Sequence, residues 1–243
     1  MINKILCVSL VAIAITLFSS CGDSQKSGTE NPDDTAKTTN TSPVSGSGEA
    51  GNKYGIKSGI ITYDNEAMGM AMKTTLYFDN YGKSEATETE MELEMMGVKS
   101  KTHTISFDKD GYSYNLDLEK KTGTKMKQIT TGSGMDSKGM MDFSKMSEQM
   151  MKDMQIKKEG NETVLGKDCT VYSIGMDIGD QADAKGSKMQ IKGKYAVWNN
   201  IMMKMDTDMS GMKVTMKAVK IQENVPVPAD KFEVPQGITV TEP

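Results

Sequence analysis

The chain has 243 residues and a formal net charge of -4, and all 29 of its basic residues are lysine. That balance offers no basic footprint for nucleic acid and no guanidinium fork for clamping phosphate or carboxylate. Methionine is in excess, 23 residues against 5 Phe and 1 Trp, so a core or a binding surface here has to be built largely from thioethers.

Lys4 precedes an apolar run from Ile5 to Phe18. The run is too short to cross a bilayer and has the length of a signal-peptide core. It ends in Leu17-Phe18-Ser19-Ser20-Cys21, which resembles the lipobox of bacterial lipoproteins. The resemblance implies a signal peptide over residues 1–20, a diacylglyceryl thioether on Cys21 and a membrane anchor there. Gly22 stands where a retention signal would place Asp, so the implied destination is the outer membrane, on its periplasmic or its surface side. Residues 21–52 are rich in Gly, Ser, Thr, Asn, Asp and Glu and bury too little to offset ordering, so they read as a tether reaching roughly 30 Å. With Cys7 in the signal and Cys21 acylated, Cys169 is left single, without an internal disulfide, and reads as a small buried hydrophobe.

Residues 53–243 form one predicted domain of roughly 190 residues, enough for a real core. Its dominant signal is period-two alternation. A first strand over Ile56 to Tyr63 is followed by one placing Met68, Met70, Met72, Leu76 and Phe78 on a single face. After a turn at 79–82, Met91, Leu93 and Met95 alternate with Glu90, Glu92 and Glu94. Asp108-Lys109-Asp110-Gly111 is a hairpin turn between two further strands. Residues 130–141 are Gly- and Ser-rich, and Phe143, Met146, Met150 and Met154 then recur at helical spacing, predicting a helix near 142–155 that lays its stripe on the apolar sheet face. Strands resume from Val164, with Thr170, Tyr172, Ile174 and Met176 on one side. Met203 and Met205, then Met212, Val214, Met216 and Ala218, supply further apolar faces, and Val225-Pro226-Val227-Pro228 opens an extended tail. Short strands without a βαβ rhythm predict a mainly β fold with one clear helix. The sheet is curved and antiparallel, an open half-barrel or, alternatively, a closed β-barrel.

Catalytic signatures are missing. There is no GxSxG, GxGxxG, P-loop or HExxH motif, the single His103 sits among strand lysines, and Glu85 to Glu94 read as a solvated strand face. Asp108 to Gly111 lacks the later ligands of a calcium loop. The expectation is therefore no enzyme, no catalytic residues, no cofactor and no metal. What remains is an apolar surface that one helix is too small to cover, lined by Met68, Met70, Met72, Leu76, Phe78, Met91, Leu93, Met95, Met146, Met150, Met154, Met203, Met205, Met212, Val214 and Met216. Flexible thioethers suit an adaptable apolar ligand. Two alternatives stand beside this one: a periplasmic Cu(I) or Ag(I) binder using the soft thioethers of Met68 to Met72 and Met202 to Met212, and an interaction domain with a solid core.

Three segments, Leu165-Gly-Lys-Asp-Cys-Thr-Val-Tyr172, Tyr195-Ala-Val-Trp-Asn199 leading into Ile201 to Lys204, and Val227-Pro228 to Phe232-Glu-Val-Pro-Gln-Gly237, resemble uncharacterised bacterial lipoproteins related to the LolA-like carriers of lipoproteins and lipids. The resemblance implies an open antiparallel half-barrel with helical cover and a concave apolar face that takes acyl chains, lipids or a lipoprotein, in a monomer. This chain departs from the soluble carriers in its lipidated Cys21, its single clear helix and its want of a cavity arginine. Those departures favour a membrane-fixed receiver over a shuttle.

Overall fold

The computed structural model describes residues 52–95, 98–128, 146, 148–182 and 188–242. Cys21, and with it the signal and tether, lie outside the described residues. The strands are β1 (Gly59–Ala67), β2 (Met70–Asp79), β3 (Ser84–Met95), β4 (Val98–Lys109), β5 (Tyr112–Asp117) and β6 (Thr122–Lys127). After the helix α1 (Glu148–Asp153) come β7 (Lys157–Val164), β8 (Lys167–Ala182), β9 (Lys188–Trp198), β10 (Ile201–Met209), β11 (Met212–Glu223) and β12 (Thr239–Thr241). All twelve belong to one sheet in the order β12-β6-β5-β4-β3-β2-β1-β11-β10-β9-β8-β7. Two antiparallel meanders, β1 to β6 and β7 to β11, are thus joined along β1 and β11, and β12 runs parallel to β6. The sheet is curved and open, with β7 and β12 as its edges, and does not close into a barrel.

Five hairpins are made the same way. Met68-Gly69, Asp110-Gly111, Leu165-Gly166, Asn199-Asn200 and Ser210-Gly211 all have positive φ at both residues, as two-residue turns matched to the strand twist require. The residues flanking each turn pair directly, as in Ala67 with Met70 and Lys109 with Tyr112. Met68 therefore lies in a turn, 55% exposed, and not on the strand face expected of it. Alternation had run through Met68-Gly69-Met70 without registering that the glycine there turns the chain.

Three apolar clusters hold the sheet. The largest contains Tyr54, Ile61, Tyr63, Leu76, Phe78, Val164, Cys169, Ala196, Ile201, Met203 and Ala218. It draws β1 and β2 together with β7 and β8 from the far end of the strand order, which only a strongly curled sheet allows. Gly59 sits beneath Phe78: a Cβ there would come within 2.8 Å of the ring. A second cluster of Ile156, Ile174, Tyr195, Val197 and Met202 is packed by Met146, Met151 and Met154 around α1. The strands β8 to β10 are buried on both sides, since the register sets Cys169, Ala196 and Ile201 opposite in sense to Tyr195, Val197 and Met202.

The third cluster, Ala86, Ile105, Phe107 and Leu116, lies on the reverse side of β3 to β5 and is covered by Phe232, Ile238 and Val240 of the C-terminal segment. A short 3-10 turn, Ala229–Phe232, follows the predicted proline-rich extended stretch. The expected helix near 142–155 is described from Glu148 to Asp153; residues 141–145 and 147 lie outside the described residues.

Candidate ligand-binding face

Strand register assembles the methionines. Met91 of β3 pairs with Met72 of β2, Met72 with Asn65 of β1, and Asn65 with Met216 of β11. Met216 pairs in turn with Met205 of β10, Met205 with Tyr195 of β9, and Tyr195 with Tyr172 of β8. Direct cross-strand partners point to the same side of a sheet, so these seven residues form one row across the sheet. A parallel row runs from Met70 through Ala67 and Val214 to Thr207 and Gly193. Leu93, two residues on from Met91, shares that side.

Burial divides the expected lining residues into four groups. Leu76, Phe78 and Met203, exposed by 5%, 0% and 0%, belong to the filled core and present nothing to a ligand. Met146, Met154, Met205 and Met216 pack against the cluster of Ile156, Ile174, Tyr195, Val197 and Met202, with Met150 half-buried on α1. Met70, Met72, Met91, Leu93 and Val214 are half-buried and, among the described residues, belong to none of the three clusters. They are the accessible part of the face. Met68 and Met212 sit at its hairpin rim, Met212 being 45% exposed. The side chain of Met95 lies outside the described residues. A hollow of about 500 Å³ opens beside α1, lined by Glu148, Met151, Lys152, Gln155, Ile156 and Lys157.

Two polar groupings were not anticipated. On the methionine face, the Asn65 amide Nδ2 donates to Thr74 Oγ1 at 2.6 Å, and Thr74 lies 3.3 Å from Thr89 Oγ1. Asn65 Oδ1 is buried and, among the described residues, has no hydrogen-bond partner. Its signal was present in the sequence, since Ile61, Tyr63, Asn65 and Ala67 continue one alternation, but ending the first strand at Tyr63 hid it. On the reverse side, Glu88 accepts from Tyr77 at 2.9 Å and from Lys231 at 2.7 Å, and meets His103 Nε2 at 2.7 Å. Burial pushes the Glu88 carboxyl up, but hydrogen bonds from Lys231, His103 and Tyr77 outweigh it and hold the group below its ordinary range. Lys231 also lies 4.8 Å from the Tyr77 ring centre. This assembly fastens the C-terminal segment to the sheet. At the far end of the methionine side, Glu85 is buried and receives Lys53 at 2.6 Å and the Tyr54 hydroxyl at 2.7 Å.

Three further expectations concern single groups. Cys169 is a buried free thiol whose pKa burial pushes up. Among the described residues, no three His, Cys, Asp or Glu side chains gather as metal ligands. No described helix is long and apolar enough to cross a membrane.

No family model and no curated protein matches the chain. Solved structures similar to it include an uncharacterized conserved protein from Thermus thermophilus, with a TM-score of 0.46 at 8% identity, covering 77% of this chain and 91% of that one. The Mycobacterium tuberculosis lipoprotein LppX is similar with a TM-score of 0.34 at 10% identity, over 72% of this chain and 91% of that one. A domain described as outer membrane lipoprotein-sorting, from Vibrio parahaemolyticus, has a TM-score of 0.34 at 11% identity, over 72% and 89%.

Proposed function

We propose that this chain is a non-enzymatic cell-envelope lipoprotein, anchored to the outer membrane through acylated Cys21, that binds an apolar ligand on the methionine face of its sheet. One observation carries the reading: Met70, Met72, Met91, Leu93 and Val214 form a contiguous, half-buried apolar surface that belongs to no core cluster among the described residues. Contiguous exposed apolar surface of this kind marks a binding site. Unbranched thioether side chains adapt to a flexible occupant such as an acyl chain better than branched ones do. The ligand has to come to the protein, within reach of the tether.

Register favours this over a Cu(I) or Ag(I) site. The thioethers of the central row come in twos, Met91 with Met72 and Met216 with Met205, and Asn65 stands between the pairs. Two strand spacings of about 4.8 Å then separate Met72 from Met216, where a soft-metal site needs its sulfurs converging on one point.

The test uses the Cys21→Ser chain, which lacks its own acyl groups. Extraction and mass spectrometry of the purified protein are expected to yield a bound lipid, and N-phenyl-1-naphthylamine is expected to fluoresce on binding and to lose that signal in Met91→Glu. An empty extract together with no dye binding would refute the reading.

A further inference from the structure

The methionine face is sorted by charge as well as by hydropathy. From Thr87, Thr89, Met91 and Leu93 on β3, through Thr74, Met72 and Met70 on β2 and Tyr63, Asn65 and Ala67 on β1, the register brings only neutral residues to this side. The same holds for Val214, Met216 and Ala218 on β11, Met205 and Thr207 on β10, Gly193 and Tyr195 on β9, and Tyr172 and Ile174 on β8. The charges alternate onto the reverse side: Lys73, Glu90 and Glu92, Asp64 and Glu66, Lys213 and Lys217, Asp206, Lys192 and Lys194. On α1, which covers one end of the face, Glu148, Lys152 and Asp153 are exposed to solvent. Glu85, on the methionine side beyond Leu76, is held by Lys53 and Tyr54. The row's cation is Lys158 of the edge strand β7, which pairs with Tyr172 five strand spacings from Asn65, so an anionic head group laid against Asn65 would lose water and find no cation beside it, the costly case for a buried charge.

One polar atom in the middle of the face has unfilled capacity. Asn65 lies in the row between Met72 and Met216, bonded to Thr74 through Nδ2, while its Oδ1 is buried without a partner among the described residues. Buried polar atoms in folded proteins are nearly always hydrogen-bonded, so an exception points to a group supplied from outside. Its position, flanked on both sides by methionine, asks for a small polar group carried within an otherwise apolar molecule. A hydroxyl answers the amide whichever way its oxygen and nitrogen are turned, since it both donates and accepts.

Resting on the binding reading above, we propose that the ligand is an uncharged lipid bearing a hydroxyl group, an acylglycerol in chemical class, with the hydroxyl against Asn65 and the acyl chain along Met70, Met72, Met91 and Leu93. The ligand's neutrality matches the uncharged surroundings of Asn65, and its hydroxyl matches the buried side-chain atom left without a partner among the described residues. A fatty-acid carboxylate, charged and without a donor, satisfies neither.

Three probes with the same oleoyl chain separate the contributions: monooleoylglycerol, methyl oleate and oleate at pH 8, each used to displace N-phenyl-1-naphthylamine from the Cys21→Ser chain. Monooleoylglycerol is expected to displace the dye at about tenfold lower concentration than methyl oleate, the ratio that one net hydrogen bond near 1.4 kcal/mol gives, and oleate is expected to be the weakest of the three. In Asn65→Leu the two neutral probes should converge to within about twofold, while methyl oleate binds as before. Oleate displacing the dye as well as monooleoylglycerol, or methyl oleate matching it on the unsubstituted chain, overturns the proposal without any variant. A preference for monooleoylglycerol that survives in folded Asn65→Leu removes Asn65 from it. If neither the dye nor any probe binds, the binding reading itself fails and this one goes with it; dye binding with the wrong probe order fails this one alone.

Discussion

Lys231 Nζ lies 2.7 Å from Glu88 Oε2, joining the C-terminal segment to a strand 143 residues earlier in the chain. Both side chains are largely withdrawn from solvent, at 25% and 12% exposure, and Tyr77 and His103 occupy the carboxylate's remaining positions. Glu88→Gln leaves the lysine without its counter-charge. It should cost about 1–3 kcal/mol in urea unfolding, and a double-mutant cycle with Lys231→Met should return a coupling clearly above zero. Additive single effects would show that the two side chains are neighbours without being partners.

The same carboxylate predicts an acid response. Its folded-state value is held below the unfolded one, so the stability it contributes is present above the ordinary carboxylate range and is lost as pH falls through the lower, folded value. Melting temperature should therefore decline on acidification below about pH 5, and more shallowly in Glu88→Gln than in the natural chain. Equal slopes would mean that other carboxylates, such as Asp117 with its bonds from Lys120 and the Glu119 amide, carry the whole response.

The methionines should fall into two populations. Met203 is fully buried, and Met203→Ala should cost about 2–5 kcal/mol. Met91 is half-buried outside every cluster, so Met91→Ala should cost below about 1 kcal/mol while weakening dye binding. Chemical denaturation of the two variants side by side is the measurement. A large loss at Met91 would make that region core and not binding surface.

Gly59 is a space-limited position. A Cβ would stand 2.8 Å from two atoms of the Phe78 ring and 3.2 Å from the Gln222 carbonyl oxygen. Gly59→Val should destabilise by about 1–3 kcal/mol, as overpacking does, although valine is the better strand former. The Gly59→Val, Phe78→Leu double variant should recover part of that loss, because the smaller side chain gives back the space.

Cys169 should be silent toward Ellman's reagent at pH 8 in the folded protein and react fully once denaturant is added. It is buried with its thiol pushed up by desolvation, and the thiolate is the reactive form. Rapid reaction under native conditions would require this end of the sheet to open readily.

Much of the architecture was readable because one side of most strands is apolar. Met91 and Leu93 against Glu90, Glu92 and Glu94 gave β3 its facing directly, and Asp110-Gly111 marked the hairpin between β4 and β5. Where both sides are polar, as in Lys157 to Thr163 of β7, alternation carries no information, and that strand emerges only from its pairing with β8. The face itself was legible as a set of residues but not as a graded surface. Whether a methionine is core or open depends on what curls over it, and the contact that buries Phe78 and Met203 with Cys169 and Val164 joins strands far apart in both sequence and sheet order. Asn65 was missed for a smaller reason, a strand ended at Tyr63, four residues early. The Glu88 cluster was missed because an acidic strand face ordinarily belongs to solvent, and here a distant segment comes back to cover it.

The seam between β1 and β11 has a consequence in time. It pairs Gly59 with Glu223 and Ala67 with Val214, the opening strand of the domain against its last long one, in the middle of the sheet. A chain delivered amino terminus first can form the hairpins of β1 to β6 early, but it cannot complete its interior until β11 has arrived. Folding dominated by such distant pairing is slow, in the range of milliseconds to seconds. Throughout that interval β1 offers an unpaired edge beside exposed methionines, the combination most open to wrong partners. The moment of greatest vulnerability for this protein therefore falls late in its synthesis, and it ends when its two halves meet.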